Sequence, residues 1–196
     1  MIDFKEIGRS IFGAWMLARF DANGLLLFEN TSRAFWRSYW AATLALPAYI
    51  ALVTMRTPES MITVGALPAT LIQLSGYIIG WFAMPFVMLY VCRAIDREEQ
   101  FCRYFAAYNW AALLQITLML ALTTLAKTGM LPPAFAGIIS VAAIIAILVY
   151  QGFIARVALM IPVFGAFGIL VLDLMIGLVV DSWTTKLLAG HRLFGG

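Results

Sequence analysis

Charge is what this chain has least of. Asp, Glu, Lys and Arg together make up 12% of its 196 residues, against about a quarter in an ordinary soluble domain. With 63% of the residues hydrophobic and a mean hydropathy of +0.93, so short a chain cannot hide its apolar surface in a water-soluble core. Lipid must be the solvent for much of it.

Histidine is nearly missing too. The single one, His191, sits close to the end of the sequence, so no apolar stretch supplies a histidine to haem or zinc. The two cysteines, Cys92 and Cys102, flank a charged loop without metal-ligand companions and read as reduced thiols on the cytoplasmic side. No paired carboxylates, G-x-S-x-G, glycine-rich phosphate loop or CxxC is present. No cofactor, metal site or catalytic residue is therefore expected, and the chain does not read as an enzyme. A net charge of +3 is too small to suggest nucleic acid. Asp3, Lys5, Glu6 and Arg9 break up the start, so no secretory leader is expected.

Apolar length is what the sequence has instead. A crossing needs about 20 residues, and such stretches run from about Phe35 to Met55, Ala66 to Val91 and Tyr104 to Ala126. The apolar region from Leu131 to Val180 is about twice one crossing. Its only base is Arg156, where it divides into a fourth and a fifth span. The expected fold is an all-α polytopic transmembrane helical bundle with five spans plus an N-terminal amphipathic surface helix. Residues 1–34 form the cytoplasmic segment, 35–181 the transmembrane domain and 182–196 a short external tail.

Five spans put the termini on opposite sides, and basic residues decide which is which. Lys5, Arg9, Arg19, Arg33, Arg37, Arg93, Arg97, Arg103 and Arg156 fall on one side; Arg56, Lys127, Lys186 and Arg192 fall on the other. The N-terminus is expected to be cytoplasmic and the C-terminus external, in a membrane of the bacterial cytoplasmic (inner) kind. Trp36, Tyr39, Trp40, Tyr90, Tyr104, Tyr108, Trp110 and Tyr150 gather near the same cytoplasmic ends, as an interfacial aromatic belt does.

Ahead of the spans, "FKEIGRSIFGAWMLARF" sets Phe4, Ile7, Ile11, Trp15 and Ala18 at helical spacing among Lys5, Arg9 and Arg19. Such a helix lies flat on a membrane, with Arg9, Trp15 and Arg19 as its lipid-facing surface, or packs on the protein's own cytoplasmic loop. "DANG" reads as a turn, and Thr31 or Ser32 as the cap that starts the first span. The loop "RAIDREEQFCR" reads as a solvated connection or as a docking surface for protein or anionic lipid.

The residue that stands out is Asp173, in "GILVLDLMIG". An ionised carboxylate at that depth costs about 2.5–3.5 kcal/mol even on insertion scales, so it must be partnered, wetted or protonated. Depth matching offers Gln73, Gln115 and Ser140 as members of one intramembrane polar layer with Asp173. Asn109, Gln151 and Tyr108 form a second cluster nearer the cytoplasm, with interhelical hydrogen bonds that average about 0.6 kcal/mol. Gly165 and Gly177 share the face of Asp173, and Gly76 and Gly80, in "GYIIG", begin about one turn from Gln73. Small-xxx-small spacing of this kind marks candidate helix contacts.

A cytoplasmic N-terminal segment, five spans, a charged loop after the second and a paired fourth and fifth make a layout that resembles the Yip1-domain membrane proteins. The segments "FCRYFAAYNWAALLQ" and "FIARVALMIPVFGAFGILVL" look like that family's bacterial members. The resemblance implies a non-catalytic integral protein; the family's eukaryotic members are associated with vesicle trafficking and small GTPases, but their long N-terminal region is missing from this sequence, so a GTPase partner is not expected. The function expected first is a scaffold or accessory subunit that contacts membrane lipids and a protein partner in the membrane, its own copy included. The alternative is a small transporter or channel subunit with Asp173 as an ion- or proton-linked site.

Overall fold

The protein is described here by a computed structural model covering residues 3–57 and 62–190. His191, Arg192 and part of the "MRTPES" connection lie outside the described residues. The described residues form helices and turns, with no strand among them. Seven α-helices follow in order: α1 Phe4–Ala18, α2 Ser32–Ser38, α3 Trp40–Arg56, α4 Ala66–Ala94, α5 Phe101–Lys127, α6 Pro133–Leu159 and α7 Val163–Leu188. Five helical segments are long and apolar enough to cross a membrane, α2 and α3 together making the first. The chain is an all-α integral membrane bundle.

Local chemistry sets the boundaries. Thr31 starts α2, its Oγ1 accepting the Ala34 amide at 3.1 Å. The turn from α6 to α7 comes at Met160–Pro162, a few residues after Arg156. Met160 adopts a left-handed φ of 52°, and Pro162, which has no amide hydrogen to give a continuing helix, precedes α7. Residues 182–188, expected in an external tail, continue α7 instead. Thr184 and Leu188 are buried there, and that packing against the bundle keeps the last two turns helical.

The helices are arranged as an open ring in which α3 packs on α5, α5 on α6, α6 on α7 and α7 on α4. Backbones of α3 and α4 scarcely approach, and neither do those of α5 and α7. Side chains bridge the α3–α4 seam instead. Tyr39 stacks on Phe82 at 4.7 Å, and the Tyr77 hydroxyl donates to the Ala42 carbonyl at 2.6 Å.

The dense core lies at the end that carries α1. Leu17, Met84, Met88, Tyr104, Phe105, Ile154 and Leu159 are wholly buried there. Helix α1 lies across α5 and α6, and it presents Ser10, Gly13, Ala14 and Leu17 inward. The expected apolar stripe is therefore shifted: Phe4 is 89% and Trp15 54% exposed, with Ile7 and Ile11 only half-buried. Small residues win the inner face because the chain doubles back closely. A Cβ on Gly24 would stand 2.6 Å from the Gly13 carbonyl oxygen, an approach that only glycine permits. Tyr150 of α6 locks the contact by donating to the Ala14 carbonyl at 2.7 Å.

Two further ties hold this end. Asn30 bridges the α4–α5 connection, donating to the Glu99 carbonyl at 2.6 Å and accepting from the Arg103 amide at 3.1 Å. The second bond satisfies one of the free amides in the first turn of α5. Arg37 of α2 pairs with Glu6 of α1.

Candidate functional site

Asp173 lies ten residues into α7, about 15 Å from its start at 1.5 Å per residue. It is thus near the middle of the helix, deeper than a span ending at Val180 implies. Its partner comes from α5: the Tyr108 hydroxyl donates to Asp173 Oδ1 at 2.8 Å. The pair spans the gap where the α5 and α7 backbones do not meet. A phenol hydroxyl stands several ångströms farther from its backbone than a serine hydroxyl does, and that reach spans the gap.

The four-membered polar layer does not form. Gln73 faces α3 and meets Tyr49, whose hydroxyl lies 3.4 Å from Gln73 Oε1. Gln115 accepts from Gln151 Nε2 at 3.2 Å, joining α5 to α6. Ser140 is exposed beside Val141 and donates to the Ala136 carbonyl of its own helix at 2.8 Å. Matching depth alone misassigned these residues, because depth does not fix which way a helix is turned.

The second cluster divides as well. Tyr108 belongs with Asp173 and Gln151 with Gln115, while Asn109, wholly buried, donates to Ser38 Oγ at 2.8 Å. Of the four glycines proposed as contacts, Gly76 alone meets a neighbouring helix: the Thr184 methyl group fills the space a Cβ there would need. A Cβ on Gly165 would touch only Ile161 and Pro162 just ahead of its own helix, and one on Gly80 or Gly177 would meet nothing within 4 Å. Arg9 and Arg19 are exposed with Trp15 on α1, Arg9 lying 3.3 Å from Glu29.

Gly80 and Gly177 stand in open space because they line a cleft. About 920 Å³ in volume, it runs between α3, α4, α5 and α7, from Arg56 and Leu188 at the far end of the bundle down to Tyr108. A second void of about 360 Å³ contains Asp173 and Gln151 and shares Gly80, Tyr108, Gly177, Val180 and Asp181 with the first. Tyr108 therefore stands between the two spaces, with its hydroxyl committed to the carboxylate. Volumes of roughly 300–1,000 Å³ are those of small-molecule sites.

Sequence reasoning missed most of the cleft wall: Tyr49, Trp81 and Asp181. Two periodic signals point to it. Tyr77 and Trp81 recur at i, i+4 on α4, and Asp173, Gly177 and Asp181 do so on α7, so each set shares a face. Among the described residues no three His, Cys, Asp or Glu side chains converge as a metal site would require.

No family model matches the chain, and no curated protein or solved structure matches it.

Proposed function

We propose that the protein is a small membrane transporter or channel subunit that admits a ligand into its intramembrane cleft, with Asp173 as the ion- or proton-linked group. The observation that carries this reading is a carboxylate at mid-membrane depth, held by Tyr108 at the junction of two voids, one of which reaches the end of the bundle. Acids at such depth are expensive and commonly mark ion paths. The role proposed is binding and passage, because Asp173 is met by a tyrosine hydroxyl in a largely apolar void that Gln151 and Asp181 also line. The excess of bases at the α1 end favours a cytoplasmic N-terminus and a bacterial cytoplasmic membrane.

Proteoliposomes test this. Under an imposed membrane potential, an entrapped pH-sensitive dye is expected to report proton flux through the wild type and a loss of that flux in Asp173→Asn. Equal flux in both, with both proteins folded, removes the reading.

A scaffold or accessory role, in keeping with the resemblance to Yip1-domain proteins, is the second reading, and α1 favours it. Phe4, Phe12 and Trp15 remain 89%, 58% and 54% exposed, on the side of the helix away from the bundle. Beside Arg9 and Arg19 they offer an apolar and basic surface suited to anionic lipid or to a membrane partner. Replacing Phe12 and Trp15 with Ser is expected to weaken co-purification of anionic lipid; an unchanged lipid content would remove this role for α1.

A further inference from the structure

We propose that the ligand of the cleft is a lipophilic organic cation, a substrate class that rests on the binding reading above and extends it. The walls supply the chemistry. Tyr49 of α3, Tyr77 and Trp81 of α4 and Tyr108 of α5 line the larger space. The Tyr49 and Tyr77 ring centroids are 4.5 Å apart, and those of Tyr77 and Trp81 6.0 Å. Aromatic faces carry the negative part of the ring quadrupole and attract a cation lying within about 6 Å, all the more where water is excluded.

The fourth wall, α7, is acidic. Asp181 lines both spaces and Asp173 the inner one. Among the described residues neither carboxylate has a basic partner within ion-pair distance. Among the described residues Arg56 is the one base that lines either space, and it stands at the mouth. Its guanidinium is drawn to α5, lying 3.3 Å from Thr123 Oγ1 and 3.7 Å from Met119 Sδ. An anion in the cleft would meet Asp181 and the aromatic side chains, with Asp173 in the adjoining void, and no compensating charge at that depth among the described residues. A neutral apolar guest would leave both acids unmatched. A cation with an apolar body satisfies the rings and the acids together.

Room for that body comes from the two glycines. Gly80 on α4 and Gly177 on α7 have nothing within 4 Å of where a Cβ would lie, so their missing side chains are part of the cleft volume. That absence makes the site testable by obstruction. Leucine at either position fills space that no side chain of the described residues occupies.

The experiment is equilibrium dialysis of the detergent-solubilised full chain against tetraphenylphosphonium and against tetraphenylborate, ions of one shape and opposite charge. The expected result is saturable binding of the phosphonium and none of the borate. Asp181→Asn should weaken the phosphonium by about two- to fivefold, the scale of losing one solvent-exposed charge contact. Gly177→Leu, or Gly80→Leu if the first variant fails to fold, should abolish it. Borate binding equal to that of the phosphonium overturns the inference, and so does phosphonium binding indifferent to both substitutions. The two readings fail separately. Charge-selective binding without Asp173-dependent flux leaves a cation-binding protein and removes transport; flux that depends on Asp173 without charge-selective binding removes the organic cation and keeps the ion path.

Discussion

The Tyr108 hydroxyl lies 2.8 Å from Asp173 Oδ1, and this contact joins two helices, α5 and α7, whose backbones do not pack on each other. In a bundle built as an open ring, such a link holds the cleft at a fixed width. It also satisfies one lone pair of a carboxylate near the middle of an apolar helix.

The pair is expected to be worth more than an average interhelical hydrogen bond in a membrane, about 0.6 kcal/mol, because one partner is an acid at mid-depth. A double-mutant cycle of Tyr108→Phe and Asp173→Leu, read by unfolding in mixed micelles, should give a coupling energy of about 1–2 kcal/mol. Tyr108→Phe alone should destabilise more than the double variant does, since it leaves the carboxylate without its donor. Additive losses would show that the contact holds nothing.

Glycines on one helix should behave in opposite ways. Gly76→Val drives a branched side chain into the Thr184 methyl group and should destabilise by about 1–3 kcal/mol, as overpacking does. Gly80→Ala enters open space and gains helix propensity, so stability should stay level or rise by up to about 1 kcal/mol. Thermal stability followed by fluorescence-detected size exclusion separates the two. Equal losses would mean that Gly80 is also packed against a neighbour.

Fold class and span positions are legible in the sequence because apolar length is a one-dimensional property. Spans expected at Ala66–Val91 and Tyr104–Ala126 appear as Ala66–Ala94 and Phe101–Lys127. The site was legible only in its centre. Asp173 stands out as a charge among Leu, Ile and Val, but its partner is set by the rotation of α5 and α7 about their axes, which depth along the chain does not encode. Ser140 matches Asp173 in expected depth and points away from it; Tyr108 matches less well and reaches it. Glycine spacing misled for a related reason: the same gap in side chains produces a contact at Gly76 and a cavity wall at Gly80.

The junction between α2 and α3, at Tyr39, rests on an asymmetric pair. Asn109, wholly buried on α5, donates to Ser38 Oγ at 2.8 Å, and Ser38 in turn donates to the Phe35 carbonyl at 2.6 Å. Asn109 Oδ1 has no partner among the described residues. Removing the serine hydroxyl therefore strands an amide that is already half satisfied, whereas removing the amide leaves Ser38 still bonded to Phe35. Ser38→Ala should lower stability by about 1–3 kcal/mol, the cost of an unpaired buried donor. Asn109→Leu, close in volume and free of polar atoms, should cost less, and the double variant should recover part of what Ser38→Ala loses. Thermal midpoints of the three variants decide it: were Ser38→Ala the milder change, or the double variant the worst, the hydroxyl would not be what satisfies Asn109 at the junction.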